Sequence, residues 1–374
     1  MTTLTKRVLA ALAVTTALAL PAAAQDRTLR AAPGTPPAHP SNEVMYQNFL
    51  GYLAESSDGR LGATILGPEV ASLGQMKDAL QSQIVEIGNL LPLYYPAELP
   101  FMALAGELSL IPGNPHAAGA AMTEFIVTCA PCQDELRRFN LVYLGSGTSD
   151  VYEILSTRPV RTAEDLRGMR LRTGGAPWAR LAEHFGATPA QISVNDTFEA
   201  MSQGVIDGSI ASVADLQSFR LIELVTHVTE LPLGLYQATS NFTVSSATWG
   251  SLSQEDKEAL AEAANLANAD MTQRWGYDMP TEAIEAAEGA GIEFVEADPS
   301  LVQAVEDFAA TERETAIRLA QQNFGIDDAE DHVARFLELL EKWEGIVDGL
   351  EPAEIAARVQ DEVWSQVDFA TYGG

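Results

Sequence analysis

Short strand-like runs alternate with helix-forming segments from residue 28 to about residue 225, and this alternation constrains the fold more than any other feature. Residues 28–32, 63–66, 85–90, 141–145, 152–155, 169–173, 190–193 and 205–211 read as strands. Residues 41–56, 73–83, 177–185 and 196–203 read as helices, and a further helix is expected after residue 211 to about 225. Such alternation predicts parallel or mixed sheets with helices on both faces. Local signals agree with it. Ser41 or Asn42 is expected to cap the first helix. Thr162-Ala163-Glu164-Asp165 is a capping box, and the short helix it opens should stop at Gly168. Residues 231–249 read as strand-rich return segments, after which the character changes. Residues 253–288 form a nearly continuous Ala/Glu-rich helix, started by Ser253 with Asp256 and interrupted at Pro280. A strand over 292–296 and a helix opened by Asp298-Pro299 follow, then two or three more helices.

A chain of 374 residues exceeds one ordinary core and suggests about two domains. The expected fold is therefore α/β, with two lobes, mixed or parallel sheets and a long late helix. Lobe I should comprise residues 25–146 plus about 231–265. Lobe II should comprise 147–230 plus about 266–374, with the long helix spanning both. Open α/β sheets receive ligands at the carboxyl ends of their strands, and paired lobes close on a ligand by a hinge.

Residues 1–24 are laid out as a secretory signal peptide: Lys6 and Arg7, an uncharged stretch over 8–20, then Pro21-Ala22-Ala23-Ala24 before Gln25. The apolar stretch is shorter than the roughly 20 residues that span a bilayer. Cleavage near Ala24 and a soluble periplasmic product are expected, and no cysteine follows the site to carry a lipid. The cysteines, Cys129 and Cys132 in the run CAPC, are expected to form a disulfide clipping two helical segments together. A zinc half-site or a thioredoxin-like redox motif is the alternative reading. With 52 acidic against 22 basic residues the formal charge is −30, which argues against nucleic acid or an anionic membrane surface as a partner.

Chemistry-bearing motifs of enzymes are missing: there is no G-x-S-x-G, no H-E-x-x-H and no G-x-x-x-x-G-K. A different pattern stands out over residues 158–208. Arg158-Pro159 is followed by EDLRGMRLR over 164–172, by a helix ending in Gly186-Ala187, and by a second helix leading into GVIDG over 204–208. This stretch resembles the substrate-binding proteins of tripartite ATP-independent periplasmic (TRAP) transporters, the C4-dicarboxylate-binding type family. The resemblance implies a non-catalytic periplasmic binding protein that needs no cofactor. It would capture a small organic acid anion, a carboxylate or sulfonate, and deliver it to the TRAP permease membrane subunits. Service to a sensor or another transporter, or a periplasmic enzyme, is the competing reading. A monomer is expected.

Arg172 matches the family's arginine that grips the ligand's acid group. A guanidinium suits that task because its two parallel N–H donors match a carboxylate and its charge persists when buried. A structural pair with an acid such as Glu164 is the alternative. Arg170 reads as surface or ion-paired, and Gly174-Gly175 as a turn. Trp178 is a candidate to stack on the ligand or to pack inside, and Val194 to give an apolar contact. Asp196 and Phe198 are expected to cap and pack a helix. After the Asp207-Gly208 pair, Ser209, Ile210, Ala211 and Ser212 replace the residues that hold a ligand or metal in relatives, so no metal is expected. Ser209, Ser212 and Asp215 remain candidate polar contacts. His39, Asn89 and Tyr94 are candidates from the first lobe by their position at strand ends, and Gln237 and Asn241 from the return segment.

Overall fold

The computed structural model describes residues 27–374, so the expected signal peptide and its cleavage site lie outside the described residues. In chain order the strands are β1 (Arg27–Ala32), β2 (Leu61–Ile65), β3 (Ile87–Leu90), β4 (Leu141–Tyr143), β5 (Tyr152–Ser156), β6 (Arg170–Arg172), β7 (Thr188–Ala190), β8 (Gly208–Ser212), β9 (His227–Glu230), β10 (Ser240–Ser245) and β11 (Glu293–Glu296). They form two sheets, ordered β2-β1-β3-β10-β4 and β11-β9-β5-β8-β6-β7. In the first, β1 runs parallel to β2 and β3, while β10 runs against β3 and β4. In the second, β5 runs against both β8 and β9, and β6 is parallel to β7 and β8. Each sheet is thus mixed, with helices covering it.

The chain crosses between the sheets along residues 144–151 and returns along 231–239, and the two crossings are tied together. Leu144 N donates to Phe242 O at 3.0 Å, Asn241 N to Gly145 O at 3.1 Å, and Tyr236 N to Ser149 Oγ at 2.9 Å. A third connection is the late helix. It runs as α-helix over Gln254–Gln273, widens through Arg274–Asp278, and resumes over Met279–Ala290. Pro280 lacks the N–H that a regular turn would use, which accounts for the π-type turns just before it. Ser253 Oγ accepts from Asp256 N at 3.1 Å, as its capping pattern predicts.

Several expectations give way. Ser41 and Asn42 do not cap the first helix; the helical turn begins already at Pro40, and Ser41 Oγ instead bonds Thr35 Oγ1 at 2.7 Å. Residues 190–193 are not one strand, because β7 ends at Ala190 and a 3-10 turn starts at Val194. The helix after β8 is only Asp215–Ser218, since Arg220 in a left-handed conformation ends it. Helix Ala329–Val347 packs on helix Pro115–Thr128, and helix Pro352–Glu362 packs on Gln254–Gln273. Glu124 anchors the first of these by accepting from Trp343 Nε1 and Lys342 Nζ, each at 2.8 Å. The apolar faces of these two helices are thereby buried on helices Pro115–Thr128 and Gln254–Gln273. Cys129 and Cys132 form the disulfide, between helices Pro115–Thr128 and Ala130–Arg138.

Candidate functional site

The carboxyl end of β6 carries Arg172 to the floor of a cleft between the sheets. The cleft holds about 410 Å³ of space free of protein atoms, counting the part open to solvent. From the first sheet, the loop after β1 contributes His39, β3 contributes Asn89, and the turn beyond it Tyr94. From the second come Arg172, Tyr152 at the start of β5, Val194 in the turn after β7, and Asp215 and Phe219 beyond β8. The return crossing supplies Tyr236, Thr239 and Asn241, and the late helix supplies Met271 and Trp275. The site thus sits at strand ends and beside the return crossing and the late helix, where α/β folds collect ligands.

Arg172 is 1% exposed. Its Nε donates to Ile192 O at 3.2 Å and its Nη2 to Tyr94 Oη at 2.9 Å. Val194 N also donates to Tyr94 Oη, at 3.1 Å. Tyr94 thereby bridges the two lobes, with its own hydroxyl proton left to offer. Among the described residues, no carboxylate forms an ion pair with Arg172; the expected structural partner Glu164 pairs with Arg167 at 3.0 Å. A buried guanidinium without a counter-ion is costly and signals an anion still to come. Arg170, by contrast, is committed to Asp207 through two side-chain hydrogen bonds of 2.6 and 3.0 Å.

The walls are aromatic. His39 meets Phe219 and Trp275 edge-on, with ring centroids 5.3 and 5.4 Å away. Its Nδ1 accepts from Ser41 N at 3.1 Å, so the ring proton sits on Nε2. Burial pulls the His39 pKa down to about 3, which keeps the ring neutral. On the other side Tyr236 stacks on Trp178, with centroids 5.6 Å apart and planes 5° apart. Among the described residues, the Tyr236 hydroxyl, Trp275 Nε1, Asn89 Oδ1 and Asn241 Oδ1 are buried polar atoms of this cleft without a hydrogen-bond partner. Buried polar groups are normally satisfied, so a ligand or water must complete them.

Of the residues expected from sequence, Arg172, Val194, His39, Asn89, Tyr94, Asp215 and Asn241 line the cleft, and Trp178, Ser209, Ser212 and Gln237 do not. Trp178 is wholly buried behind Tyr236 and donates through Nε1 to Leu233 O at 2.8 Å, so it backs the wall rather than forming it. Ser209 is buried within β8, its register partners being Leu155 and Arg172. Gln237 turns away and donates to Ala105 O at 3.1 Å. Ser212 Oγ accepts from Ala214 N at 3.0 Å and shapes the turn that carries Asp215. Asp196 makes no side-chain cap, and its neighbour Asn195 instead reaches across to Gly34 O at 3.0 Å. Phe198 lies under Arg220 as a cation–π pair at 5.1 Å. Gly175 is constrained by space, since a Cβ there would come within 2.8 Å of Leu93 Cδ1 in the facing lobe.

Sequence reasoning missed Tyr152, Phe219, Tyr236, Thr239, Met271 and Trp275. One signal was present: Trp275-Gly276-Tyr277 breaks an otherwise Ala/Glu-rich helix just ahead of Pro280, and an aromatic at a helix break points to a site more than to a surface.

Asp215 is 2% exposed and its pKa is raised to about 7, chiefly by burial, with the Arg172 charge and the Ser218 hydroxyl pulling the other way. Asp150 is pushed well up by burial, and Glu153 and Glu135 are raised to about 7, again chiefly by burial. In the unfolded chain such groups titrate near 4. The native state therefore holds protons that the unfolded chain has released. That stabilises the fold fully below about pH 4, and the benefit is lost as pH rises through 7. The lowered pKa of His39 acts in the opposite sense only below about pH 6.5. Between pH 6.5 and 8.5 each carboxyl titrating near 7 should cost roughly 1 kcal/mol, and the melting temperature should fall by about 5 °C or more. Circular-dichroism melts across that window check this, and a flat or rising profile would contradict it.

A family model described as bacterial extracellular solute-binding protein, family 7, matches residues 39–316. The chain belongs to this family. A solute-binding protein of Roseobacter denitrificans is 28% identical over 160 residues, which are 40% of this chain and 46% of that one, so the match spans about half of that relative. In structure, the family 7 chain resembles a marine metagenome TRAP solute-binding protein from an unidentified microbe, described as specific for aromatic acid ligands and bound to 3-hydroxybenzoate. The TM-score is 0.75 at 23% identity, covering 86% of this chain and 99% of that one. It resembles equally a TRAP solute-binding protein of Rhodoferax ferrireducens bound to copurified benzoate, with TM-score 0.75 at 19% identity and coverage of 86% and 99%. The two-lobed fold is shared with both. Family and neighbours are binding proteins, not enzymes.

Proposed function

We propose that this family 7 protein is a periplasmic receptor without enzymatic activity, which captures a small organic acid anion between its lobes and passes it to a TRAP permease. The observation that carries the reading is Arg172, a fully buried cation on the cleft floor with no carboxylate partner among the described residues. A planar fork in a dry site holds a carboxylate through paired, charge-assisted bonds. The aromatic rings of His39, Phe219, Trp275 and Tyr236 support a flat body on that acid, since rings pack well on rings. The structural neighbours that hold benzoate and 3-hydroxybenzoate support the same class. The −30 charge of the whole chain supports a local device such as Arg172, because the general field repels anions.

The lobes we propose are built on the two sheets: residues 25–146 with about 231–265 form the first, joined by the C-terminal helices, and 147–230 with about 266–328 form the second. Tyr94 to Arg172 and Asn195 to Gly34 are contacts of the closed form, and opening would break them. The receptor works as a monomer exported with its first 24 residues removed.

A thermal-shift panel of aromatic, hydroxy and keto acids, sulfonates, sugars and amino acids tests the proposal. An acid present at a hundred times its dissociation constant should add about 2.7 kcal/mol and raise the melting temperature by several degrees. Shifts from sugars or amino acids alone, with none from any acid, would refute the reading.

A further inference from the structure

Two opposite charges face the cleft without pairing. Arg172 and Asp215 are 1% and 2% exposed, and each feels the other's charge, yet no ion pair forms between them among the described residues. Asp215 has one hydrogen-bond donor, the Ser218 hydroxyl at 3.1 Å on Oδ1. Asp215 itself lines the cleft. The other titratable groups around it do not satisfy it. Tyr152 and Tyr236 are phenols kept neutral by burial, His39 is neutral, and Asp150 is a second buried acid that Asp215 repels. A buried carboxyl with a single partner is expensive to keep, and truncating it to an apolar residue would be cheaper unless something in the cleft uses it.

We propose that Asp215 is a specificity-determining residue. It accepts a hydrogen bond from a hydroxyl or N–H that the ligand carries apart from its acid group, so the ligand is an acid with a separate hydrogen-bond donor. The inference rests on the anion reading above and refines it. Arg172 holds the acid end, the aromatic walls hold the body, and Asp215 reads the far substituent. A site built to bond such a group discriminates strongly against analogues lacking it, because its own polar atom is then left unpaired. It also disfavours acids with no donor for a second reason, since an ionised Asp215 repels them.

The test uses the mature protein, calorimetric titration and four probes: benzoate, 3-hydroxybenzoate, 3-aminobenzoate and 3-fluorobenzoate. The last is close in size to the hydroxy compound and has no proton to donate. The wild type should bind at least one of the two donor-bearing acids about 10-fold or more tighter than benzoate and 3-fluorobenzoate. Asp215→Ala should remove that preference by weakening the donor-bearing acid, while benzoate binds as well or better. Asp215→Asn keeps the shape and one acceptor oxygen, and should cut the preference several-fold even where the alanine variant folds poorly. Equal wild-type affinity for all four probes overturns the role of Asp215 and leaves the anion reading standing. So does a preference that survives in both variants. Failure of the wild type to bind any of the acids, or of the broader panel, overturns the anion reading and this inference with it.

Discussion

Replacing Arg172 with alanine is expected to weaken acid binding by 100-fold or more while leaving a folded protein. A bidentate, charge-assisted pair in a dry site is worth about 3 kcal/mol, and each 1.4 kcal/mol is a factor of ten. The fold should survive because Arg172 contributes little to it beyond two hydrogen bonds, to Ile192 O and Tyr94 Oη. Removing an unpaired buried cation also relieves its own desolvation cost, which offsets the lost bonds. The unliganded melting temperature should therefore change by only a few degrees, whereas the shift produced by acids should vanish. Arg172→Lys restores the charge without the planar fork and should recover only part of the affinity. A secondary effect follows from the neighbourhood. The Arg172 charge holds the Asp215 carboxyl down, so in the alanine variant that carboxyl should titrate higher still. Titration calorimetry of the variant with any acid found active on the wild type decides the matter, and an unchanged dissociation constant would remove Arg172 from the site.

Arg172 is legible in the sequence because it stands in a spaced pattern, EDLRGMRLR, whose strand and turn place its last residue at a strand end. The alternation of strands and helices likewise foretold both sheets. It could not tell that β10, far along the chain, inserts between β3 and β4, because strand pairing at long range leaves no local periodicity. The same blindness hid most of the cleft. Tyr236 and Tyr152 carry no motif, and they meet only because Leu233 N and Tyr152 N bond across the crossing to Tyr152 O and Gly234 O. Trp178 could be read two ways from sequence, stacking on the ligand or packing inside. The side chain packs inside, stacked on Tyr236 and bonded to Leu233 O. Asp215 was visible as a polar residue near a strand end. Its unusual feature, burial beside an unpaired arginine, needed the third dimension.

Gly234 sits where that crossing passes closest to the rest of the protein, and Gly234→Ala should be among the most damaging single-methyl substitutions available. Its φ is +79°, and a Cβ there would lie 1.8 Å from Ser109 O and 2.7 Å from Leu110 Cα. Both obstacles are backbone, so no side chain can rotate away. The neighbouring bonds fix the geometry further, because Leu235 N donates to the same Ser109 O at 2.9 Å and Tyr152 N to Gly234 O at 2.8 Å. The left-handed conformation alone costs an alanine about 1–2 kcal/mol, and the clash adds displacement of the crossing, for a total above about 3 kcal/mol. Gly168 separates the two contributions. It also has positive φ, +71°, but nothing lies within 4 Å of its Cβ position, so Gly168→Ala should show the conformational cost alone. The melting temperature of the 234 variant should fall at least twice as far as that of the 168 variant. Ligand affinity should fall with it, since Tyr236 stands two residues on and shares the displaced segment, whereas the 168 variant should bind normally. Matching losses in the two variants would mean that the crossing yields easily to a methyl group, and that the lobes are joined by a softer hinge than the packing around Gly234 implies.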